Sequence, residues 1–238
     1  MDFITSCIAA NREIYQLLNS RGDLQDQCKM GFGGDISLKA DLAAEAIFIK
    51  HLSKFGQIYS EESGFVGDGE DIVIIDPIDG SKNFASNIPY FGSSAALKRN
   101  GKIIGAVIAN FAAGYIHIKD ESRFERRFFL QDRAENIISK PLKGIGIFEK
   151  AYKSRALSDK LLQASFKYRT MGALALSLAL SHEVDFVLFQ GNVREFDIAA
   201  GWYMSEDLYQ LRAPNLLLVS KDKGIFDKIH NFIMELSI

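Results

Sequence analysis

One stretch constrains this chain more than any other: Ile72-Val73-Ile74-Ile75 runs straight into Asp76-Pro77-Ile78-Asp79, with Gly80-Ser81 behind it. Four consecutive β-branched residues predict a fully buried strand, and proline, which lacks a backbone donor, predicts its end at Asp76-Pro77. Both aspartates then emerge at the carboxyl edge of a strand, where ligands collect in open α/β sheets. Two carboxylates held this close repel each other unless a proton or a cation lies between them. A hard divalent cation such as magnesium suits oxygen ligands and needs no histidine or cysteine. Gly80 lets the backbone approach a ligand, and Ser81-Lys82-Asn83 predicts a helical turn whose free amides face an anion. A cation seat beside an anion seat points to phosphate ester chemistry. Alone, the same residues also make an ordinary acidic turn, so their company elsewhere decides.

Composition narrows the classes. With 238 residues, 47% of them hydrophobic, the chain can bury a large core as one α/β domain over residues 1–238. Its rhythm divides that domain into two fused halves, about 1–143 and 144–238. A formal net charge of −2 gives no general pull toward nucleic acid or anionic membrane, so neither is an expected partner. Two cysteines, Cys7 and Cys28, cannot build a disulfide framework. No basic leader follows Met1-Asp2-Phe3 and no apolar run approaches a membrane span, so a cytoplasmic location is expected.

Along the first half, Phe3, Cys7, Ile8, Ile14, Leu17 and Leu18 recur at helical spacing and predict a helix ending near Arg21-Gly22. Lys29 to Asp35 carries three glycines and predicts a mobile segment. A second helix is predicted from Ser37 to about Phe55, with Leu38, Leu42, Ile49 and Leu52 on its apolar side and Asp41 and Glu45 sharing another face, ordinarily a solvated one. Gln57 to Ser60 predicts a short strand running into Glu61-Glu62, a second acidic strand end. Asn100-Gly101 predicts a hairpin between Tyr90–Leu97 and Lys102–Ala109, with Tyr115–Lys119 beside it; residues 120–143 show no clear pattern.

Past Gly144 the pattern alternates: strands at Ile145–Phe148, Val184–Phe189 and Leu216–Val219, and helices at Ser154–Ser165, Gly172–His182, Phe196–Asp207 and Ile225–Leu236. The four histidines lack ligand spacing, which argues against zinc. Walker, nucleophile-elbow and Rossmann signatures are missing from the sequence.

Asp41, the pair Glu61-Glu62, the run Asp76-Pro77-Ile78-Asp79-Gly80-Ser81 and the late Phe196-Asp197-Ile198-Ala199-Ala200-Gly201 occur in that order. Gly34-Asp35-Ile36-Ser37, Asn83-Phe84 and Arg169-Thr170-Met171-Gly172 accompany them. In this set the chain resembles the inositol monophosphatase family of magnesium-dependent, lithium-sensitive phosphatases, over nearly its whole length. The resemblance implies an α/β (α+β) fold, a layered αβαβα sandwich, in a homodimer acting on a small phosphorylated substrate. It implies that Glu61, Asp76 and the Ile78 carbonyl hold one magnesium, and that Asp76, Asp79 and Asp197 hold a second. Asp41 and Glu62 would orient waters or a weaker third ion, Ser81 would help position the attacking water, and the Gly80 and Ser81 amides would hold phosphate.

The departures bear on the substrate. Gln190 stands where relatives often carry a glutamate seven residues before the late aspartate, Phe196 replaces a tryptophan, and Ala173 replaces a small hydroxyl residue after Gly172. Ser205-Glu206-Asp207-Leu208-Tyr209 stands in place of an E-A-G-G segment. These changes leave the metal set whole and set myo-inositol phosphate itself in question. Gln190 and Arg194 are expected to favour a substrate with a second anionic group, because glutamine does not repel it and arginine can pair with it. Two other functions fit the same residues: a phosphatase of sugar bisphosphates or adenosine 3′,5′-bisphosphate, and a regulatory protein that keeps the fold and binds a partner. Mutually repelling acids kept intact argue against pure binding.

Overall fold

Side chains on the strand that carries the two aspartates alternate between two cores, as the two-residue period of a strand requires. Val73 and Ile75 join one apolar cluster and Ile74 the other. The computed structural model describes residues 1–20, 23–129, 131 and 133–237. Its elements in chain order are α1 (Phe3–Asn19), β1 (Gln27–Met30), β2 (Ile36–Leu38), α2 (Lys39–Leu52), β3 (Gln57–Ser60), β4 (Gly64–Val66), β5 (Ile72–Asp79) and α3 (Ser81–Ala85). They continue with β6 (Gly92–Arg99), β7 (Lys102–Asn110), β8 (Tyr115–Asp120), β9 (Arg123–Phe128), β10 (Ala134–Asn136), β11 (Gly146–Glu149), α4 (Arg155–Gln163) and β12 (Tyr168–Arg169). The last are α5 (Leu174–Ala179), β13 (Phe186–Gln190), α6 (Glu195–Met204), β14 (Tyr209–Ala213), β15 (Leu216–Ser220) and α7 (Lys223–Glu235).

Two sheets and three helical layers alternate. The larger sheet has the order β10-β9-β8-β7-β6-β5-β3-β4, the smaller β12-β11-β13-β15-β14, and β1-β2 form a separate pair. On one face of the larger sheet, Val73, Ile75, Leu97 and Val107 meet Ile14 of α1 and Phe48 of α2. On its other face, Ile74, Ala96, Ala106 and Ile108 meet Leu176 of α5 and Phe196 of α6. Those helices turn Leu174, Leu178 and Ile198 toward Val187, Phe189, Leu217 and Val219 of the smaller sheet. Beyond it, Leu157 and Leu161 of α4 and Ile229 and Ile233 of α7 close the outer core, each burial contributing roughly 1.5–3 kcal/mol. The result is the α/β layered αβαβα sandwich, with α5 and α6 as the middle layer. No helix among the described residues is long and apolar enough to cross a membrane.

The fold differs from the sequence reading in instructive places. β5 does not stop at Asp76-Pro77 but runs to Asp79, with a register shift against β6 between Asp76 and Asp79. Proline is tolerated there because the ladder is interrupted by this bulge and β3 pairs only as far as Ile75. Ser37 and Leu38 belong to β2, and α2 starts at Lys39, where the Asp41 carboxylate accepts the Leu38 amide at 2.6 Å. The buried face of α2 is Ala40, Asp41, Ala44, Glu45, Phe48 and Leu52, so its two acids point inward while Leu42 and Ile49 are only half-buried. The predicted Gly172–His182 helix is only Leu174–Ala179, and the Phe196–Asp207 helix ends at Met204. Residues 120–143 contain β9 and β10, β14 was without a sequence signal, and the predicted end of α1 at Arg21-Gly22 lies outside the described residues. The hairpin holds: Asn100 and Gly101 both take positive φ, 48° and 79°, as its tight turn demands.

Middle-layer packing depends on one glycine. A Cβ on Gly201 of α6 would lie 2.4 Å from the Leu178 Cβ of α5. Gly201→Ala should therefore cost roughly 1–3 kcal/mol by overpacking, and thermal melting should fall by about 2–4 °C per kcal/mol. An unchanged melting temperature would refute so close a contact.

Candidate active site

Four chain segments end at one place. β5 delivers Asp76 and Asp79, the residues after β3 deliver Glu61 and Glu62, and the first turns of α2 and α6 deliver Asp41 and Asp197. Gly80 turns the chain out of β5 at φ 90°, a left-handed conformation that glycine adopts freely, and Ser81 opens α3. These residues, with the Ile78 backbone, Ala173 and Arg194, line a single cavity of about 330 Å³. Gln190 is not among its lining residues; it ends β13 with its side-chain oxygen buried and unpartnered.

Inside the cavity Glu61, Asp76 and Asp197 offer carboxylate oxygens all within 4.8 Å of one another. The Asp76 Oδ1 is buried and accepts no hydrogen bond. A buried, unpartnered carboxylate oxygen in such a cluster is costly unless a cation or a proton answers it, and an all-oxygen donor set suits a hard divalent ion. The residues present thus fit a magnesium-type cation. Asp79 is held differently, its Oδ2 accepting the Leu176 amide of α5 at 2.8 Å. Asp41 accepts the Ser81 hydroxyl at 2.8 Å, and the same hydroxyl lies 2.8 Å from the Ile78 carbonyl oxygen. The Ser37 hydroxyl donates to Glu62.

Burial dominates the electrostatics. It raises the Asp41 pKa to about 6 against the lowering effect of the Leu38 amide and the Ser81 hydroxyl. It raises Glu62 to about 7, and Asp79 to about 7 despite the Leu176 amide. Glu61 rises to about 8 through burial, opposed by the neighbouring Arg194. Asp76 is pushed well above the ordinary carboxylate range, first by burial and then by Glu61 and Asp79. Asp197 is raised by burial although Arg194 pulls it down.

The segment from Lys29 to Asp35 supports this site from outside. Gly33 donates to the Glu61 carbonyl at 2.7 Å and Phe32 to the Glu62 carbonyl at 3.0 Å. A Cβ at Gly31 or Gly33 would come within 2.8 Å of the Glu62 or Glu61 side chain. Glycine here permits close approach to the acid pair. Arg194, expected to face a second anionic group, instead turns its guanidinium into the cluster: Nε and Nη2 hold both oxygens of Asp197 at 2.8 and 2.9 Å, and Nη1 lies 2.8 Å from Glu61.

Two further residues of the cavity went unnoticed in the sequence. Glu149, buried at the end of β11, accepts the Gly172 amide at 2.8 Å and the Ser177 hydroxyl at 2.6 Å, and so fixes the turn that sets Ala173 against Gly80. Its signal was a third strand ending in an acid. Lys150, just after it, has φ 58° and places its ammonium 4.9 Å over the Phe189 ring; burial lowers its pKa.

The inositol monophosphatase family matches residues 8–206. A fructose-1,6-bisphosphatase from Pyrococcus furiosus is 30% identical over 195 residues, 75% of this chain and 70% of that protein. A Nus factor SuhB from Xylella fastidiosa is 28% identical over 189 residues, 73% of this chain and 65% of that protein. Among solved structures, the MJ0109 gene product, titled an inositol monophosphatase-fructose 1,6 bisphosphatase, shares the fold with a TM-score of 0.82 at 21% identity, covering 98% of this chain and 100% of that one.

The raised pKa values make stability depend on pH when no divalent cation is supplied. Unfolded carboxylates titrate near 4, whereas Asp41, Glu62, Asp79 and Glu61 do so at about 6 to 8 in the fold, so the folded state holds more protons between those limits. Their contribution is full below about pH 4 and is lost as pH rises toward 8. Denaturant titrations in chelator should show stability falling across this window, and a divalent cation should flatten the slope. A rise in stability over the window would contradict the burial of these acids.

Proposed function

Because this chain belongs to the inositol monophosphatase family, we propose that it hydrolyses a small soluble phosphate ester, of the inositol or sugar phosphate type, with magnesium as the cofactor. The observation that carries this reading is the cluster of Glu61, Asp76 and Asp197 carboxylates, in which Asp76 also has a buried, unpartnered oxygen. Glu61, Asp76 and the Ile78 carbonyl would hold one ion, and Asp76, Asp79 and Asp197 a second. Such ions supply Lewis-acid polarisation of the phosphoryl group and lower the pKa of the attacking water.

The chain's own groups divide the remaining work. Ser81, hydrogen-bonded to Asp41, positions a water on the open side of its hydroxyl, and Asp41, ionised above about pH 6, takes the proton through it. Glu62, steadied by Ser37, orients solvent on the other flank. Gly80 and the opening turn of α3 present amides without intrahelical acceptors to the phosphate. No side-chain nucleophile is required.

A bisphosphate substrate is the second reading, favoured by two lysines that line the cavity, Lys82 and Lys150, and by the fructose-1,6-bisphosphatase relative. With Arg194 turned toward carboxylates, Lys150, and Lys82 with its ammonium 3.7 Å from Asp35, can meet a second phosphate. Lys150→Ala should lower kcat/KM for fructose 1,6-bisphosphate several-fold more than for inositol 1-phosphate; equal changes would remove Lys150 from selectivity.

Phosphate release from a panel of esters should require magnesium, stop in chelator and decline with lithium. Asp76→Asn should lose about a hundredfold or more in turnover, as the several kcal/mol of metal assistance implies, while melting at an unchanged or higher temperature because a repelling charge is gone. Wild-type rates in exhaustively chelated enzyme, or in Asp76→Asn, would refute the reading.

A further inference from the structure

Among the described residues Arg194 is the only cation in ion-pair contact with Glu61, Asp76, Asp79 or Asp197. It flanks the start of α6, and all three of its guanidinium nitrogens face acceptors of the site or of the 31–35 segment. Nε and Nη2 fork onto Asp197 at 2.8 and 2.9 Å, and Nη1 lies 2.8 Å from Glu61 Oε1. The same Nη1 donates to the Gly33 carbonyl at 3.0 Å and to Asp35 Oδ2 at 2.9 Å. The Phe196 ring supports the group, its centroid 5.0 Å from Cζ. One planar cation thus joins two carboxylates of the acidic cluster to the 31–35 segment that covers them.

A guanidinium keeps its charge at every accessible pH and matches a carboxylate through two parallel bonds. A divalent ion seated on Asp197 and Glu61 must share or displace those bonds and is repelled by the charge that remains. We propose that Arg194 is a resident counter-cation of this site, setting its affinity for divalent metal by competing for Asp197 and Glu61 and coupling metal binding to the 31–35 segment. The inference rests on reading Glu61, Asp76 and Asp197 as metal ligands. Coupling of this kind is reciprocal: whatever the arginine takes from metal affinity, the metal takes from the arginine's hold on Gly33 and Asp35.

Magnesium titrated calorimetrically into the full chain, with hydrogen exchange followed over residues 31–36, tests this without reference to turnover. Arg194→Ala and Arg194→Gln should bind magnesium about fivefold or more tightly than wild type, with Arg194→Lys between them. Magnesium should speed exchange over 31–36 in the wild type and leave it unchanged in Arg194→Ala. Should carboxylate repulsion prevent those variants from folding, Asp35→Asn, which loosens only the outer end of the clamp, should still tighten magnesium about twofold or more. Magnesium heat that is present in the wild type, lost in Asp76→Asn and unaltered or weakened in the Arg194 and Asp35 variants would overturn the arginine's role and leave the metal reading standing. No magnesium heat in the wild type would overturn both.

Discussion

Mutual repulsion among buried carboxylates is the constraint around which this molecule is arranged. Asp41, Asp76, Asp79 and Asp197 are all nearly inaccessible to solvent, and Glu61 lies among them. Nothing in an apolar core tolerates such a set unaided, so each acid arrives with its own compensation. Asp79 takes an α5 amide, Asp41 an α2-entry amide and the Ser81 hydroxyl, Glu62 the Ser37 hydroxyl, and Asp197 and Glu61 share a guanidinium. Asp76 has a buried Oδ1 with no hydrogen-bond partner, a place where an external cation would gain much. The same distribution explains why the acids sit at strand ends and helix starts: only there are backbone amides free to answer them.

How much of this was legible in the sequence depended on distance along the chain. The acidic strand ends, the Asn100-Gly101 turn and the strand-and-helix rhythm are local properties, and the main elements stand where those patterns put them. The fold class and the acids that gather at one cavity were legible for the same reason, since adjacent residues write the strand-to-loop exit. What failed required tertiary information. Leu42 and Ile49 read as an apolar face, yet Asp41 and Glu45 point inward instead, Asp41 into the cavity and Glu45 to the Ser63 hydroxyl. Pro77 read as a terminator, but a bulge absorbed it. Arg194 is expected to face a substrate and does line the cavity, but its partners Asp35 and Gly33 lie 159 and 161 residues away and could not be foreseen from its neighbours.

The two sheets meet on the Gly80 side of the cavity, where a set of buried contacts holds the chain in place. Asn83 of α3 donates to the Tyr90 and Met171 carbonyls at 2.7 and 2.8 Å, fastening the turn after Gly80 to the segment that enters α5. Glu149 pulls the same segment from the smaller sheet through Gly172 and Ser177. Ala173 is squeezed between these anchors, so near Gly80 that a Cβ on the glycine would stand 3.1 Å from its own. A buried methyl at that point offers no hydrogen bond to a ligand but keeps α5 in the position from which Leu176 reaches Asp79. The alanine therefore contributes packing at this corner, and the acids beside it are held by other groups. The contacts that hold Ala173 are thus separate from those that hold Glu61 and Asp197, and the two sets meet through the Leu176 amide on Asp79.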